Sequence, residues 1–406
     1  MDEWDVTQAR VALLRGKRLS TVEEVRIYRV LAEVEPGLYL PKLALALRAL
    51  TYAEELRHKP EARAELAMEA LEVAKRIPSG HPERSEVLAD ALDACRWQLC
   101  EAGRHEDAFE LHAEIVESSR GTDIPGLHLW GVALAEEGRY AESASVFAEL
   151  TDPAAASPSD HALPWNLISC SAQFEAAGDA EAALARSSDL VELEQANVDH
   201  ETGPMTCYVY AAVNHARLLG ILGRDGDAVA ALEAAEPVCA ELAATGERKS
   251  WSGYQTAFWA VLLSVSIRAD ERFPQIGPRP PLGVNFHHWA PHVRGWYGEE
   301  ERAALRDEVE ALRPGAEAAP RRHLRELVAL HRRLTVRAAV SRDHRAPLPL
   351  SALFEEGVVL AERLRPFDGG VALRTALLDR STFSLAGGDH EGGHEDFVKA
   401  LALMRS

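Results

Sequence analysis

The pentad His390-Glu391-Gly392-Gly393-His394 carries the HExxH spacing, in which two imidazoles one helical turn apart can bind zinc and the glutamate between them can activate a water. Two glycines inside such a turn weaken the ligand-bearing helix by roughly 1 kcal/mol each relative to alanine. Sites of this type also take a third ligand from further downstream, and only 12 residues follow His394. Asp389 reads instead as a helix N-cap and Gly393 as a small residue where two helices cross, so the segment is accounted for without metal. His390, Glu391 and His394 are therefore the ligand set of an alternative, metal-dependent enzyme, and no metal or other cofactor is assigned.

His287, His288 and His292 form a second imidazole cluster, but Pro291 argues against one helix presenting His288 and His292 together, and a packed or solvated cluster accounts for them. Arg337 and His344 have the arginine-x6-histidine spacing of some helical ribonucleases. Against an RNA substrate stands the charge balance, 44 Lys and Arg against 64 Asp and Glu, a net charge of -20 whose field repels nucleic acid and anionic membranes. There is no GxxxxGK[ST], no GxGxxG after a strand and no GxSxG elbow, so nucleotide-driven and serine-hydrolase chemistry lack support.

The 406 residues are 47% apolar and 27% charged, enough to bury a core and unlike a disordered chain. Five cysteines (Cys95, Cys100, Cys170, Cys207, Cys239) without a CxxC pair suggest neither a disulfide framework nor a thiolate zinc site and fit a reducing compartment. The start MDEWDVTQAR lacks the basic-then-apolar pattern of a leader, and no apolar run of about 18 residues follows. A cytoplasmic chain with no membrane and no nucleic-acid partner is the expectation.

The elements that must position any site show as internal repeats. In LHLWGVALAEEGRYAESASVFAELTDP one helix ends at Gly138 and the next begins at once. Trp130, Gly131 and Leu134 mark the first helix, and Tyr140, Ser143, Phe147 and Leu150 the second. Small residues at Gly131 and Ser143 let the helices cross closely, while Tyr140 and Phe147 fill the gap to the next pair. Aligned on the interhelical glycine, the frame returns at Gly103 with His105, Ala108, Ile115, Trp97 and Leu99. It returns again at Gly178 with Phe174, Ala183 and Leu190, at Gly223 with Leu219, Ala228, Leu232 and Ala235, and at Gly388 with His390, Gly393, Phe397 and Ala400. Upstream, a break at Lys59-Pro60 separates two helices, the second carrying Ala64, Met68 and Leu71.

These residues resemble the tetratricopeptide repeat over roughly residues 38–242 and 351–406, with spacings of 35 to 45 residues. The excess of Arg over Lys and the abundance of Ala resemble actinobacterial proteins of that family. Such a resemblance implies an all-α solenoid, a superhelix of antiparallel helix pairs whose first helices line a concave groove. Residues 1–37 read as an N-terminal helical cap, 38–269 as the array, and 299–406 as a C-terminal helical block ending in a repeat-like pair. Between them, residues 270–298 hold five prolines and four glycines, which no continuous helix tolerates, and form a linker or lid. Four of the eight tryptophans, Trp251, Trp259, Trp289 and Trp296, lie in 251–297, so this stretch should be packed down.

The groove positions in this frame are Asp90, Asp93, Trp97, His128, Val132, Trp165, Ile168, Tyr210, Asn214 and Arg217. Aromatic anchors among hydrogen-bonding groups suit an extended peptide or an amphipathic helix. For Trp97 and Trp165 burial against a neighbouring helix is an equal reading. The expected function is a non-catalytic scaffold or regulator that binds a protein or peptide partner, apolar at its contact and basic at its rim. A sensor of a small molecule or signal peptide, with its pocket near the aromatics of 251–297, is the second reading. A homo-oligomer stays open.

Overall fold

The computed structural model describes residues 3–14, 19–104, 107–108, 110–111, 124–151, 162–249, 252–273, 279–289, 293, 295–340 and 350–405. Among them the regular structure is helical throughout, without strands. The helices are α1 (Glu3–Leu14), α2 (Thr21–Val34), α3 (Pro36–Leu50), α4 (Pro60–Lys75), α5 (Arg84–Glu101), α6 (Ile124–Glu136), α7 (Tyr140–Glu149), α8 (Leu163–Ala176) and α9 (Ala180–Asp199). They continue as α10 (Met205–Ile221), α11 (Asp225–Thr245), α12 (Ser252–Ser266), α13 (Glu299–Ala318), α14 (Pro320–Val340), α15 (Leu350–Asp368), α16 (Val371–Ala386) and α17 (His390–Arg405). His105, Ile115, Trp251, His292 and His344 lie outside the described residues.

Local chemistry sets the boundaries. Ser20 and Glu23 cap α2 reciprocally, the Glu23 carboxylate accepting from the Ser20 N–H at 2.8 Å and the Ser20 hydroxyl from the Glu23 N–H at 3.3 Å. Prolines open α3, α4 and α14, where the missing N–H costs nothing. Every glycine used to align the repeats, Gly103, Gly138, Gly178, Gly223 and Gly388, has a positive φ between 70° and 84°. Past four of them the next residue closes the same loop: Arg104 N donates to Leu99 O, Asp179 N to Phe174 O, Arg224 N to Leu219 O and Asp389 N to Ser384 O, each at 2.9 Å. This is the left-handed helix ending that glycine adopts without a Cβ penalty.

Five residues beyond each of these glycines stand Ala108, Ser143, Ala183, Ala228 and Gly393, all small and all buried. Two of the crossings use the same bond, Ser171 Oγ to Ala183 O at 2.8 Å and Ser381 Oγ to Gly393 O at 2.7 Å. A Cβ on Gly393 would lie 2.8 Å from Leu385, so α16 and α17 approach there as closely as backbone allows. Phe147, Leu190, Leu232 and Phe397 then fill the space between helices and are almost wholly buried.

The chain forms two compact units. The first comprises residues 1–134 with 290–292, and in it α2 packs on α3, α3 on α4 and α4 on α5. The second comprises residues 135–289 and 293–406, in which successive helices pack from α7 to α11. The division falls inside α6, whereas sequence reading puts the break at 270–298. Residues 299–406 belong to the same unit as 135–289 because α17 returns to pack along α11 and α12 lies against α10, α14 and α16. Buried Leu305, Val309, Leu324, Leu327, Leu334, Leu360 and Leu364 join α13, α14 and α15. No helix among the described residues is long and apolar enough to cross a membrane.

Candidate functional site

Helix α12 is apolar on nearly all sides, SGYQTAFWAVLLSVS, and a helix of that kind needs cover on every face. It finds cover in the second unit, against α8 and α10. Trp165, expected at the groove, is half-buried there, its ring 5.3 Å from Tyr254 and 5.8 Å from Phe258. Trp259 Nε1 donates to Thr382 Oγ1 at 3.1 Å and so ties α12 to α16.

The segment after α12 covers more of the same surface. Leu282 and Val284 are fully buried. The Leu282 carbonyl accepts from Gln173 Nε2 at 2.8 Å and from Arg268 at 3.2 Å, and the Gly283 carbonyl accepts from Ser169 Oγ at 3.0 Å. Gly283, at φ +88°, is required, since a Cβ there would meet Ala172 at 2.2 Å. Side chains of α8 thus hold the backbone of a turn in the chain's own 281–284 segment. Trp165 packs against α12 while half-buried, and Ile168 is almost wholly buried.

Tyr210, Asn214 and Arg217 fare differently. All three line one cavity of about 370 Å3 between α10, α12 and α16. Its apolar wall includes Val213, Leu262, Leu263, Trp259 and Leu378, and Ile221 and Val371 beside it are more than half exposed. Arg217 is not free: its guanidinium holds both Glu175 oxygens at 2.7 Å and the Asn214 carbonyl at 3.1–3.2 Å. Arg374, half-buried on α16 in the same lining, makes no ion pair among the described residues.

A second cavity of about 430 Å3 opens between α14, α15 and α16, lined by Val328, Leu353, Phe354, Ala372 and Ala376 with Arg325, His331 and Asp368. Arg332, Val371, Thr375 and Asp379 line both cavities. Arg332 builds the base of the partition, donating to Asp379 at 2.7 Å, to Ser266 Oγ at 2.7 Å and to Asp270 at 3.4 Å. Burial works against its charge, but the Asp379 and Asp270 carboxylates outweigh it and its pKa lies above the ordinary value. Burial also pushes the His331 imidazole down, although Glu356 Oε2 stands 3.2 Å from its Nε2.

The remaining sequence candidates are dispersed. Asp93, Trp97 and His128 belong to the first unit, where Asp93 pairs with Arg96 at 3.1 Å and Asp90 with Arg48 at 3.0 Å. His390, Glu391 and His394 do lie at the start of α17, where Asp389 accepts from the Gly392 N–H at 3.1 Å as the cap. His394 Nε2 faces Glu236 at 3.1 Å. Among the described residues no group of three His, Cys, Asp and Glu side chains is placed to hold a metal ion. His288 sits in a short 3-10 turn, Phe286–His288. Arg337, half of the ribonuclease-like spacing, is buried against Glu271.

Sequence reading missed Arg332, Val371, Thr375, Asp379 and Arg374. The signal that was available is the all-round apolar character of 252–266, which marks a helix packed on several faces. The chain matches no protein-family model and no curated protein, so the geometry carries the functional argument by itself.

Proposed function

We propose that the chain is a non-catalytic regulator or adaptor that binds a short peptide segment of a partner in the cavity between α10, α12 and α16. One observation carries this reading: Tyr210, Asn214 and Arg217, the groove positions of one repeat, line a single apolar cavity of about 370 Å3 flanked by exposed Ile221 and Val371. A concave apolar site with few polar groups at its edge suits one or two side chains of a peptide. The repeat frame, with its left-handed glycines and small crossing residues, supports a tetratricopeptide-like origin for the surface. Cover by α12 and 279–284 favours a short segment over a partner running the length of a groove. Four buried free thiols, at Cys95, Cys170, Cys207 and Cys239, suit a reducing cytoplasm.

Selection of displayed random nonapeptides on the full chain tests the reading. Enriched peptides should bind the native protein and lose at least tenfold in affinity against Leu262→Trp, which fills the cavity, and against the milder Val213→Phe. Selection that enriches nothing above an unrelated helical protein overturns the proposal. So does equal binding by both filled variants.

A further inference from the structure

The two cavities are separated by a single helix face. On α16, Val371, Thr375 and Asp379 stand at four-residue intervals and line both cavities. Ala372 and Ala376 turn to the second cavity alone, and Arg374, Leu378 and Thr382 to the first alone. The ridge is sealed at its base, where Arg332 grips Asp379, and open at its top, where Val371 is 52% exposed. A ligand that fills one cavity therefore meets the other by crossing one apolar residue.

We infer that one peptide straddles α16 at Val371, placing an apolar side chain in each cavity and a carboxylate on Arg374. The inference rests on the proposed peptide-binding function and adds the second subsite and the charge of the ligand. A helix is about 10 Å across, and an extended chain advances about 3.3 Å per residue, so the two apolar residues are three or four apart in the peptide.

Charge fixes the occupant further. Of the arginines lining the first cavity, Arg217 is matched by Glu175 and Arg332 by Asp379, which leaves Arg374 as the arginine with no ion pair among the described residues, in a lining that also holds Asp225 on α11. An Asp or Glu side chain, or the peptide's C-terminal carboxylate, completes it with a charge-assisted hydrogen bond. The chain's net charge of -20 favours a peptide that is basic elsewhere, so the acid is a single positioned group. Arg325, Asp270 and Asp368 at the second cavity give that side no cationic surplus.

The probe is the consensus peptide from the nonapeptide selection, measured against the full chain by fluorescence anisotropy. Its sequence should show two apolar positions three or four apart and one acid. Ala376→Trp, which fills the second cavity only, should weaken it at least tenfold, as should the smaller Ala372→Phe. Arg374→Glu should weaken it tenfold or more, and exchange of the peptide's acid for lysine should restore binding to that variant. If Leu262→Trp abolishes binding while both second-cavity variants leave it unchanged, the straddling peptide is overturned and the single-cavity reading stands. If Leu262→Trp is also without effect, both fall. Absence of charge-swap rescue overturns the assignment of Arg374.

Discussion

Arg337 and Glu271 face each other with almost no solvent, the Arg337 Nε 3.0 Å from one carboxylate oxygen of Glu271 and its Nη2 on the other. The guanidinium also stacks 4.7 Å from the Trp296 ring and donates to the Trp296 carbonyl at 3.3 Å. The pair thus fastens the start of the 270–298 segment and its end to α14. Removing Glu271 leaves two buried guanidiniums, Arg337 and Arg333 at 3.7 Å, without their carboxylate, which costs about 3–5 kcal/mol, whereas removing Arg337 leaves Glu271 the more distant Arg333. Glu271→Ala should lower unfolding stability by that order in urea titrations, and Arg337→Ala by less. The double change Glu271→Leu with Arg337→Met, which leaves one buried guanidinium without a carboxylate instead of two, should cost less than Glu271→Ala; equal or larger loss would show that the pair contributes more than its desolvation takes.

The Gly393 crossing makes a second prediction. A methyl group there meets Leu385 at 2.8 Å and the Ser381 carbonyl at 3.1 Å, and the crossing bond from Ser381 holds the two backbones at that separation. Gly393→Ala gains helix propensity of about 1 kcal/mol and loses about 1–3 kcal/mol to overpacking. Net destabilisation, read as a lower urea midpoint with unchanged slope, is expected, and Gly393→Val should be worse. A stabilised Gly393→Ala would mean that the helices part easily at this point.

How far the sequence reached is visible in these same residues. The repeat glycines, the small crossing residues and the Asp389 cap were legible because each is a local requirement written within about ten residues of chain. The occupant of the groove was not. Trp165 has the type and position of a binding anchor, and only the three-dimensional placement of Tyr254 and Phe258, about 90 residues later, gives it its packing partners. Arg217 looks like a free donor on an apolar helix until Glu175, 42 residues upstream, is brought to it. The cavity partition needs α12, α14 and α16 together, and no periodicity announces which helices will share a wall.

That Arg217–Glu175 pair bears on how the cavity can be tested. Joint substitution of Asn214 and Arg217 by alanine strands a Glu175 carboxylate whose side chain is only 12% exposed. The double variant should therefore lose about 1–3 kcal/mol of stability as well as any ligand affinity. Thermal unfolding beside the binding assay separates the two effects, and an unchanged midpoint would mean Glu175 is readily solvated without its arginine.

The buried thiols give a chemical readout of the same packing. Cys170 and Cys239 are pushed up to about 12 by burial, and burial also raises Cys207 well above its ordinary value. Thiolate is the reactive form, so these three should resist a maleimide at pH 7.5 on the native chain and react together once urea unfolds it. Rapid native labelling at Cys170, localised by peptide mapping, would contradict the α8 packing described above.

Glu194 on α9 sets a pH dependence with a definite sign. Its side chain is 1% exposed, and burial raises its pKa from 4.5 to about 7, against a single contact from Asn197 Nδ2 at 3.3 Å. Below about pH 4.5 the carboxyl is protonated in both states and burial carries no charge penalty. Between 4.5 and about 7 the folded chain holds a proton that the unfolded chain has released, so stability falls as pH rises, by roughly 3 kcal/mol once both states are ionised. Glu194→Gln removes the titration while keeping an amide of the same shape. The difference in urea stability between variant and parent should grow from pH 5 to pH 7.5 in favour of the variant and then level off. A difference that is flat across that range would mean the carboxylate finds compensation in the folded chain, and that α9 yields enough to let water reach it.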